Sequence, residues 1–160
     1  MVRVTHKRLL RLAKGFFPFL CRPDDVWALE RLTPDEARLY RAMDVRDREH
    51  AVMVTQRLLQ RWPQAPDCAV RAALLHDAGK GLRRYNVWER VFTALFEPWA
   101  PVVDPYPLQS GIAGAWQLRK HHPRYAADRI ADPCVARIVA DHHAGSSPWA
   151  ARLREVDREF

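Results

Sequence analysis

Long apolar runs and a regular cysteine pattern are both missing from this chain of 160 residues. No apolar stretch approaches the ~20 residues that a helix needs to cross a bilayer, so we expect no transmembrane segment. The three cysteines, Cys21, Cys68 and Cys134, are scattered and odd in number. They offer neither the paired spacing of a metal site nor a disulfide framework. This usage predicts a cytoplasmic protein, because disulfides are rare in a reducing compartment.

Internal repeats, low-complexity tracts and linkers are also missing, which favours one ordinary domain. Alternation of apolar and polar residues with period two is rare, so no sheet is expected. The sequence contains no zinc-finger, RNP or basic-zipper pattern, and nucleic acid is therefore not the favoured partner. The net charge is nevertheless +7, with 26 lysines and arginines against 19 acidic residues. Such a charge attracts polyanions, which favours a phosphate-bearing partner and leaves nucleic acid open.

The N-terminal segment is basic and then briefly apolar. Basic residues are frequent from Val2 to Lys14, and the apolar stretch from Gly15 to Leu20 contains a proline. That stretch is too short for a signal peptide, and no small-x-small cleavage site follows it. We expect residues 1–30 to form a basic amphipathic helical extension that docks on a main domain at residues 31–160, with membrane contact as the alternative. The docking face would present Leu9, Leu12 and Phe16.

Helical periodicity dominates what is present. Hydrophobic residues make up 48% of the chain and recur at helical spacing almost throughout. Thr33 and Asn86 each precede a glutamate by three positions, which is the pattern of a capping box. Asp67 and Ser147 can cap two further helices. These signals predict an all-α fold, a single compact bundle of about six to eight helices.

Two neighbouring segments in the middle of the chain have special compositions. The helix that opens at Asn86 ends at Pro98. It carries large apolar residues on one face: Trp88, Val91, Phe92, Leu95 and Phe96. The segment that follows, residues 97–110, contains four prolines. We expect it to be an ordered connector, with the rim of a pocket as the alternative.

The adjacent pair His76-Asp77 is the strongest chemical signal. It ends an apolar run and continues as Ala-Gly-Lys-Gly up to Gly81. An imidazole and a carboxylate that are held by a buried helix can meet at one divalent metal. Alone the pair is a weak signal. Other candidate ligands occur at helix ends or on apolar faces, namely His50, His122, His142, His143 and Asp157.

Burial of this set of polar side chains predicts a metal site. Each unsatisfied polar group in an interior costs about 1–3 kcal/mol, and a charge costs more. A divalent metal offsets that cost, and imidazole with carboxylate suits Mn, Fe, Ni, Zn or, less readily, Mg. His122 precedes Pro123, which predicts a position at or just before a helix start. We expect one or two divalent ions, with Mn favoured.

The order of these residues resembles the HD superfamily of metal-dependent phosphohydrolases, in particular its small stand-alone bacterial members. The strings Leu-Leu-His-Asp-Ala-Gly-Lys and His-Pro-x-x-x-Ala look like the central and third motifs of that superfamily. The resemblance covers roughly residues 45–158 and implies an all-helical bundle with the site in its middle. The matching residues are His50, His76, Asp77, His122, His142 and Asp157.

The resemblance also implies roles. One metal would be held by His50, His76, Asp77 and Asp157, and the other by His122 and His142, with Asp77 bridging. Two such metals would supply a hydroxide as the nucleophile toward phosphorus, with the oxygen of the cleaved ester or anhydride bond as the leaving group. Asp77 and Lys80 are then the catalytic candidates, Lys80 through contact with a phosphate oxygen. Further contacts with the substrate are expected from Lys80, His143, Arg46 and Arg84.

Three of these assignments leave another residue as the alternative. His142 continues an apolar helical face, and Pro123 follows His122 directly. Related sequences place the last carboxylate on a further helix, which is where Asp157 is expected. These reasons favour His142 over His143, His122 over His121 and Asp157 over Asp141.

The function implied by the resemblance is hydrolysis of phosphate ester or anhydride bonds in a small nucleotide. No Gly-Tyr-Pro string follows His142-His143, which argues against the cyclic-di-GMP phosphodiesterases that carry it. The chain is too short for the long (p)ppGpp hydrolases and for the deoxynucleoside triphosphate triphosphohydrolases. The alternative is a nucleotide-binding sensor of the same fold with little or no turnover.

Overall fold

The computed structural model describes residues 17–160, and over this range it contains eight α-helices and no strand. The prediction of an all-α fold is confirmed. The helices are α1 (Asp25–Leu29), α2 (Pro34–Ala42), α3 (Val45–Arg61), α4 (Asp67–Leu75), α5 (Val87–Leu95), α6 (Gly111–Ala127), α7 (Pro133–Asp141) and α8 (Pro148–Asp157). Short 3-10 helices occupy Pro18–Leu20, Ala78–Leu82 and Glu97–Trp99. No helix among the described residues is long and apolar enough to span a bilayer.

Capping signals in the sequence locate several helix starts correctly. Thr33 and Asn86 each form a complete capping box, in which the cap side chain and the glutamate three residues later satisfy each other's backbone N–H groups. Ser147 caps α8 through its side-chain oxygen. The prediction that Asp67 caps α4 was wrong, because Pro66 already supplies the extended backbone at the cap position. Asp67 is the first helical residue and accepts a hydrogen bond from Arg71.

One apolar core is shared by α1–α4, α7, α8 and the C-terminal end of α6. Its buried side chains include Tyr40 of α2, Leu58 of α3, Leu74 of α4 and Val135 of α7. A smaller cluster packs beneath α6 around Leu118. Burial of this apolar surface stabilises the bundle and fixes the directions in which α4 and α7 point.

Part of the predicted N-terminal extension lies against this core. Ala28 of α1 is fully buried, and Trp27 and Leu29 pack against the same core. The hydroxyl of Tyr40 donates a hydrogen bond to Asp25 at 2.8 Å, which ties α1 to α2. The predicted docking face of Leu9, Leu12 and Phe16 lies outside the described residues.

A disulfide joins Cys68 to Cys134, which are separated by 66 residues in sequence. It links the N-terminal turn of α4 to the N-terminal turn of α7, with the two Cα atoms 5.9 Å apart. The expectation of no disulfide was therefore wrong, because packing of two sequence-distant helices brings the two thiols together. The bridge also removes the cysteine argument for a reducing compartment.

The proline-rich segment at residues 97–110 is a connector held by hydrogen bonds. The side-chain amide of Gln117 donates to the backbone carbonyls of Asp104 and Pro107 and accepts from the backbone N–H of Gln109. Gln117 is 1% exposed, so this anchor is shielded from water. The connector therefore lies fixed along the surface of α6.

Candidate metal centre

Three helices deliver their C-terminal ends to one place in the bundle. His76 follows the last residue of α4, His142 follows the last residue of α7, and Asp157 is the last residue of α8. The final carbonyl groups of a helix carry partial negative charge. The local backbone therefore favours a cation at this place even before any side chain is considered.

Two of the buried histidines are oriented by the helices that they terminate. Nδ1 of His76 lies 2.9 Å from the carbonyl oxygen of Ala73, and Nδ1 of His142 lies 2.7 Å from that of Val139. The last carbonyls of a helix lack the regular donor of a following turn, so they can accept from these rings. The carbonyl of Val139 also accepts a long hydrogen bond, 3.5 Å, from the backbone N–H of His142. Because a carbonyl can only accept, Nδ1 carries a proton in both rings, which leaves Nε2 as the atom that can bind a metal when the ring is neutral.

His122 reaches the same state from inside a helix. The prediction that it stands at a helix start was wrong, since α6 continues through Pro123. Pro123 has no N–H for the carbonyl of Arg119, four residues earlier. Nδ1 of His122 lies 3.1 Å from that carbonyl oxygen and 3.1 Å from the carbonyl oxygen of Leu118. The imidazole thus supplies the donor that the proline lacks, and its Nε2 also keeps a lone pair.

These three Nε2 atoms are buried, and none has a hydrogen-bond partner within residues 17–160. Two of them have carboxylate oxygens as neighbours: Nε2 of His122 lies 3.2 Å from Oδ1 of Asp77, and Nε2 of His76 lies 3.6 Å from Oδ1 of Asp157. A buried imidazole nitrogen beside a carboxylate is stabilised by a positive charge between them, either a proton or a metal ion. Imidazole nitrogen with carboxylate oxygen is a donor set that divalent transition metals accept.

Two groups of side chains are close enough for each to share one ion. Within each group the candidate ligand atoms all lie within 4.8 Å of one another. The first group is His50, His76 and Asp77, and the second is His122, His142 and His143. Asp77 connects the two through its 3.2 Å approach to His122. Asp157 joins the first group, with its Oδ1 2.8 Å from Nε2 of His50.

The structure thus assembles all six residues that the sequence suggested as ligands. His142 and His143 both lie beside His122, with ring centroids 5.7 Å and 4.8 Å from the centroid of His122. His142 is 1% exposed, whereas His143 is on the solvent side. The alternative ligand His121 contacts the proline-rich connector instead, where its Nε2 lies 2.7 Å from the carbonyl oxygen of Val103.

Asp77 is the electrostatic centre of the site. Burial raises the pKa of its carboxyl, but the charge of Lys80, followed by His76 and His122, outweighs burial and holds the pKa well below its usual range. Nζ of Lys80 lies 2.7 Å from Oδ1 of Asp77. Burial lowers the pKa of Lys80, but the charges of Asp77 and Asp47 outweigh burial and raise the pKa above its usual value. The pair is therefore an aspartate anion and a lysine cation at neutral pH.

The histidines differ in protonation. Burial, followed by the positive charge of His76, lowers the pKa of His142 to about 2. Burial, followed by His122, lowers the pKa of His143 to about 4. Both rings are therefore neutral at pH 7, as metal ligation requires. For His76, burial lowers the pKa, but Asp77 and Asp157 outweigh burial and raise it to about 9. His76 must then release a proton when it binds a cation.

Gly79 permits the close approach of α6 to the segment Ala78–Leu82. A Cβ atom at position 79 would lie 2.0 Å from the carbonyl oxygen of His122, whereas real Cβ contacts stay above 3.0 Å. Any other residue would push the two backbones apart. The glycine therefore sets the distance between His122 on α6 and Asp77 beside the segment.

A cavity of about 560 Å³ opens beside the histidines. His122, His143 and Lys80 form part of its wall, and Glu97 and Ala100 of the connector form another part. The alternative interpretation of the proline-rich segment as a pocket rim therefore also holds. Pockets of about 300–1,000 Å³ take small organic ligands.

Several cavity residues were not identified from the sequence. Trp116, Arg119 and His122 follow one another at three-residue spacing on α6, which was the available signal for a shared face. Trp116 and Arg119 line the cavity together with Arg90 and Lys120. Predicted contacts Arg46 and Arg84 instead line an adjacent cavity of about 380 Å³, which shares Lys80 and Arg90 with the first.

Comparisons of this chain with protein-family models, with curated proteins and with solved structures found no match. Any function proposed for this chain therefore depends on the arrangement of its own side chains. Five buried or half-buried ligand-type side chains surround Asp77, and a cavity lined in part by lysine and arginine side chains adjoins them. Such a site can hold divalent cations next to a bound anion.

Proposed function

We propose that this protein is a metal-dependent phosphohydrolase of the HD superfamily that acts on ester or anhydride bonds of a nucleotide. One observation carries the proposal. Three buried imidazoles, His76, His122 and His142, donate Nδ1–H to backbone carbonyls and leave Nε2 without a hydrogen-bond partner. Nε2 of His122 faces the carboxylate of Asp77, and Nε2 of His76 faces that of Asp157. Leaving these atoms unpaired costs about 1–3 kcal/mol each, which metal ligation offsets.

The ligand assignment follows the two groups. His50, His76, Asp77 and Asp157 would hold one divalent cation, and His122 and His142 would hold a second, with Asp77 between them. Mn is the favoured ion among Mn, Fe, Ni, Zn and Mg. Bound divalent cations supply a hydroxide nucleophile near neutral pH and neutralise charge on the phosphate. The backbone carbonyls at Nδ1 keep the imidazoles in the ligating tautomer, as carbonyl partners of metal-bound histidines do.

Lys80 is the proposed contact for the phosphate. Its ammonium group lies on the cavity wall and pairs with Asp77. Once a cation neutralises Asp77, the charge of Lys80 can stabilise a phosphate oxygen instead. Lys120 lines the same cavity and adds a positive charge, and Arg119 lines it in an ion pair with Glu97. His143, which is exposed beside His122 and His142, would touch the substrate.

Phosphate release with defined metals tests this proposal. The purified chain is stripped with a chelator, reloaded with Mn, and assayed on a generic phosphate ester, nucleoside mono-, di- and triphosphates, and dinucleoside polyphosphates. We expect metal-dependent release that falls at least about 10³-fold in Asp77→Asn, because this variant keeps the side-chain size but loses the anion between the two ligand groups.

Asp141→Asn is the matched control, because it makes the same chemical change at the carboxylate directly before His142. Its rate should stay close to that of the wild type. No release with any metal, or equal loss in both variants, would contradict the proposal. Tight nucleotide binding without phosphate release would instead support the sensor alternative.

A further inference from the structure

The disulfide and the candidate metal centre lie at opposite ends of the same pair of helices. Cys68 is in the first turn of α4 and Cys134 in the first turn of α7, with their Cα atoms 5.9 Å apart. At the other ends His76 follows α4 and His142 follows α7, and their ring centroids are 5.3 Å apart. The two helices therefore lie side by side and run in the same direction. One of them supplies a member of the first ligand group, and the other a member of the second.

This arrangement links the bridge to the spacing of the ligands. Parallel packing places the like ends of two helix dipoles together, which is unfavourable, and a covalent bond at one end opposes separation of the pair. The bridge thereby limits how far α4 and α7 can slide or splay, and so how far the histidines at their other ends can move. Ligands that are held in place before a cation arrives bind it more tightly, because less conformational freedom is lost on binding.

A second tie near the bridge is ionic and does not depend on the cysteines. Arg71 of α4 pairs with Asp132, which caps α7, at 2.6 Å. It also pairs with Glu36 of α2 at 2.7 Å, and its side chain is only 11% exposed. These ion pairs remain when the bridge is reduced. We therefore expect the reduced chain to stay folded while α4 and α7 are held together less rigidly.

The bridge is open to attack from solution, since Cys134 is exposed and Cys68 is half-buried. A thiolate of a small dithiol attacks Sγ of Cys134, forms a mixed disulfide and releases the sulfur of Cys68 as a thiolate. The second thiolate of the dithiol then displaces Cys134 and closes a cyclic disulfide. The chain gains two electrons and two protons as two thiols, and the dithiol loses them.

We propose that the disulfide between Cys68 and Cys134 regulates the candidate metal centre. With the bridge intact the chain binds divalent cations tightly, and its reduction by a dithiol lowers that affinity. This regulation rests on the proposed function, because it acts on the same metal centre. Coupling between two sites is reciprocal, so bound cations also make the bridge harder to reduce.

Calorimetric titration with Mn tests the proposal on two forms of the full chain. One form is oxidised, and the other is reduced with dithiothreitol that is then removed without air. Mn is suitable because thiolates prefer softer ions. The reduced chain should bind Mn at least about tenfold more weakly, which is within the usual range of coupling between two sites. A redox titration should place the midpoint potential of the bridge about 30 mV lower at saturating Mn for each tenfold difference in affinity.

Two cysteine variants separate the bridge from other effects of the reductant. Cys134→Ser should bind Mn as weakly as the reduced wild type, whether or not it has been treated with dithiothreitol. Cys21→Ser is the matched control, because it makes the same chemical change at a buried cysteine outside the bridge. This variant should keep the difference of at least about tenfold between its oxidised and reduced forms.

Equal Mn affinity of the oxidised and reduced wild type would overturn the regulation and leave the proposed function standing. No Mn binding in either form would overturn both. A bridge that excess dithiothreitol leaves intact would also overturn the regulation. Loss of the helical circular dichroism signal on reduction would do the same, since the bridge would then be required for folding rather than for control of the metal centre.

Discussion

Replacing Gly79 by alanine probes the contact that sets the spacing of the candidate metal centre. The added Cβ would lie 2.0 Å from the carbonyl oxygen of His122 and 2.9 Å from its Cα. Both are backbone atoms of α6, so no flexible side chain can move aside. Relieving the contact requires a displacement of about 1 Å, and overpacking of this kind costs about 1–3 kcal/mol. The displaced residue is His122, whose Nε2 lies 3.2 Å from Asp77.

We therefore expect Gly79→Ala to lose both stability and metal affinity. Urea unfolding of the metal-free chain should show a loss of about 1–3 kcal/mol. Phosphate release with saturating Mn should fall about 10²-fold, the usual cost of displacing a reacting geometry by 1 Å. Calorimetric titration with Mn should show weaker binding in parallel.

Gly111→Ala is the control for a pure loss of stability. Gly111 has a φ of +60°, which strains any other residue by about 1–2 kcal/mol, but no atom lies within 4 Å of its added Cβ. This variant should lose stability and keep its Mn affinity. A Gly79→Ala chain that matches the wild type in stability and in Mn affinity would refute the packing argument.

Three further predictions concern the disulfide and the histidines. Cys134→Ser should lower the free energy of unfolding by about 4 kcal/mol in urea, because the bridge closes a loop across 66 residues; unchanged stability would argue against the bridge. The pKa of His142 is about 2 in the folded metal-free chain against 6.5 when unfolded, so stability should fall by up to about 1.4 kcal/mol per pH unit below pH 6.5 as only the unfolded chain takes up this proton. His142→Asn should flatten that slope, and a slope equal to that of the wild type would contradict the burial of a neutral ring. The pKa of His76 is about 9, so Mn affinity should rise up to about tenfold per pH unit between pH 7 and 9 as its proton is lost, whereas affinity independent of pH would contradict the ion pairs with Asp77 and Asp157.

Local signals in the sequence predicted much of the fold. The capping boxes at Thr33 and Asn86 depend on residues three positions apart, so they can be read without knowing the tertiary structure. The helical spacing of apolar residues predicted an all-α bundle for the same reason. The sequence also predicted the C-terminal ends of α4 and α7 at His76 and His142, because the apolar helical pattern stops at each of them.

Features that depend on distant packing were misjudged or missed. Pro123 suggested a helix start, but tertiary contacts extend α6 through it and His122 takes over the unpaired carbonyl. The disulfide between Cys68 and Cys134 depends on how α4 and α7 pack. The spacing of cysteines along the sequence does not reveal that packing. The exposure of Trp88 could not be read from the period of α5, since period identifies an apolar face but not what covers it.

Anomalous diffraction from crystals of the Mn-loaded chain tests the metal centre most directly. We predict one or two anomalous peaks enclosed by Nε2 of His76, His122 and His142 and by the carboxylates of Asp77 and Asp157. Mn bound elsewhere on the chain, or these Nε2 atoms turned toward protein donors with no peak between them, would contradict the account.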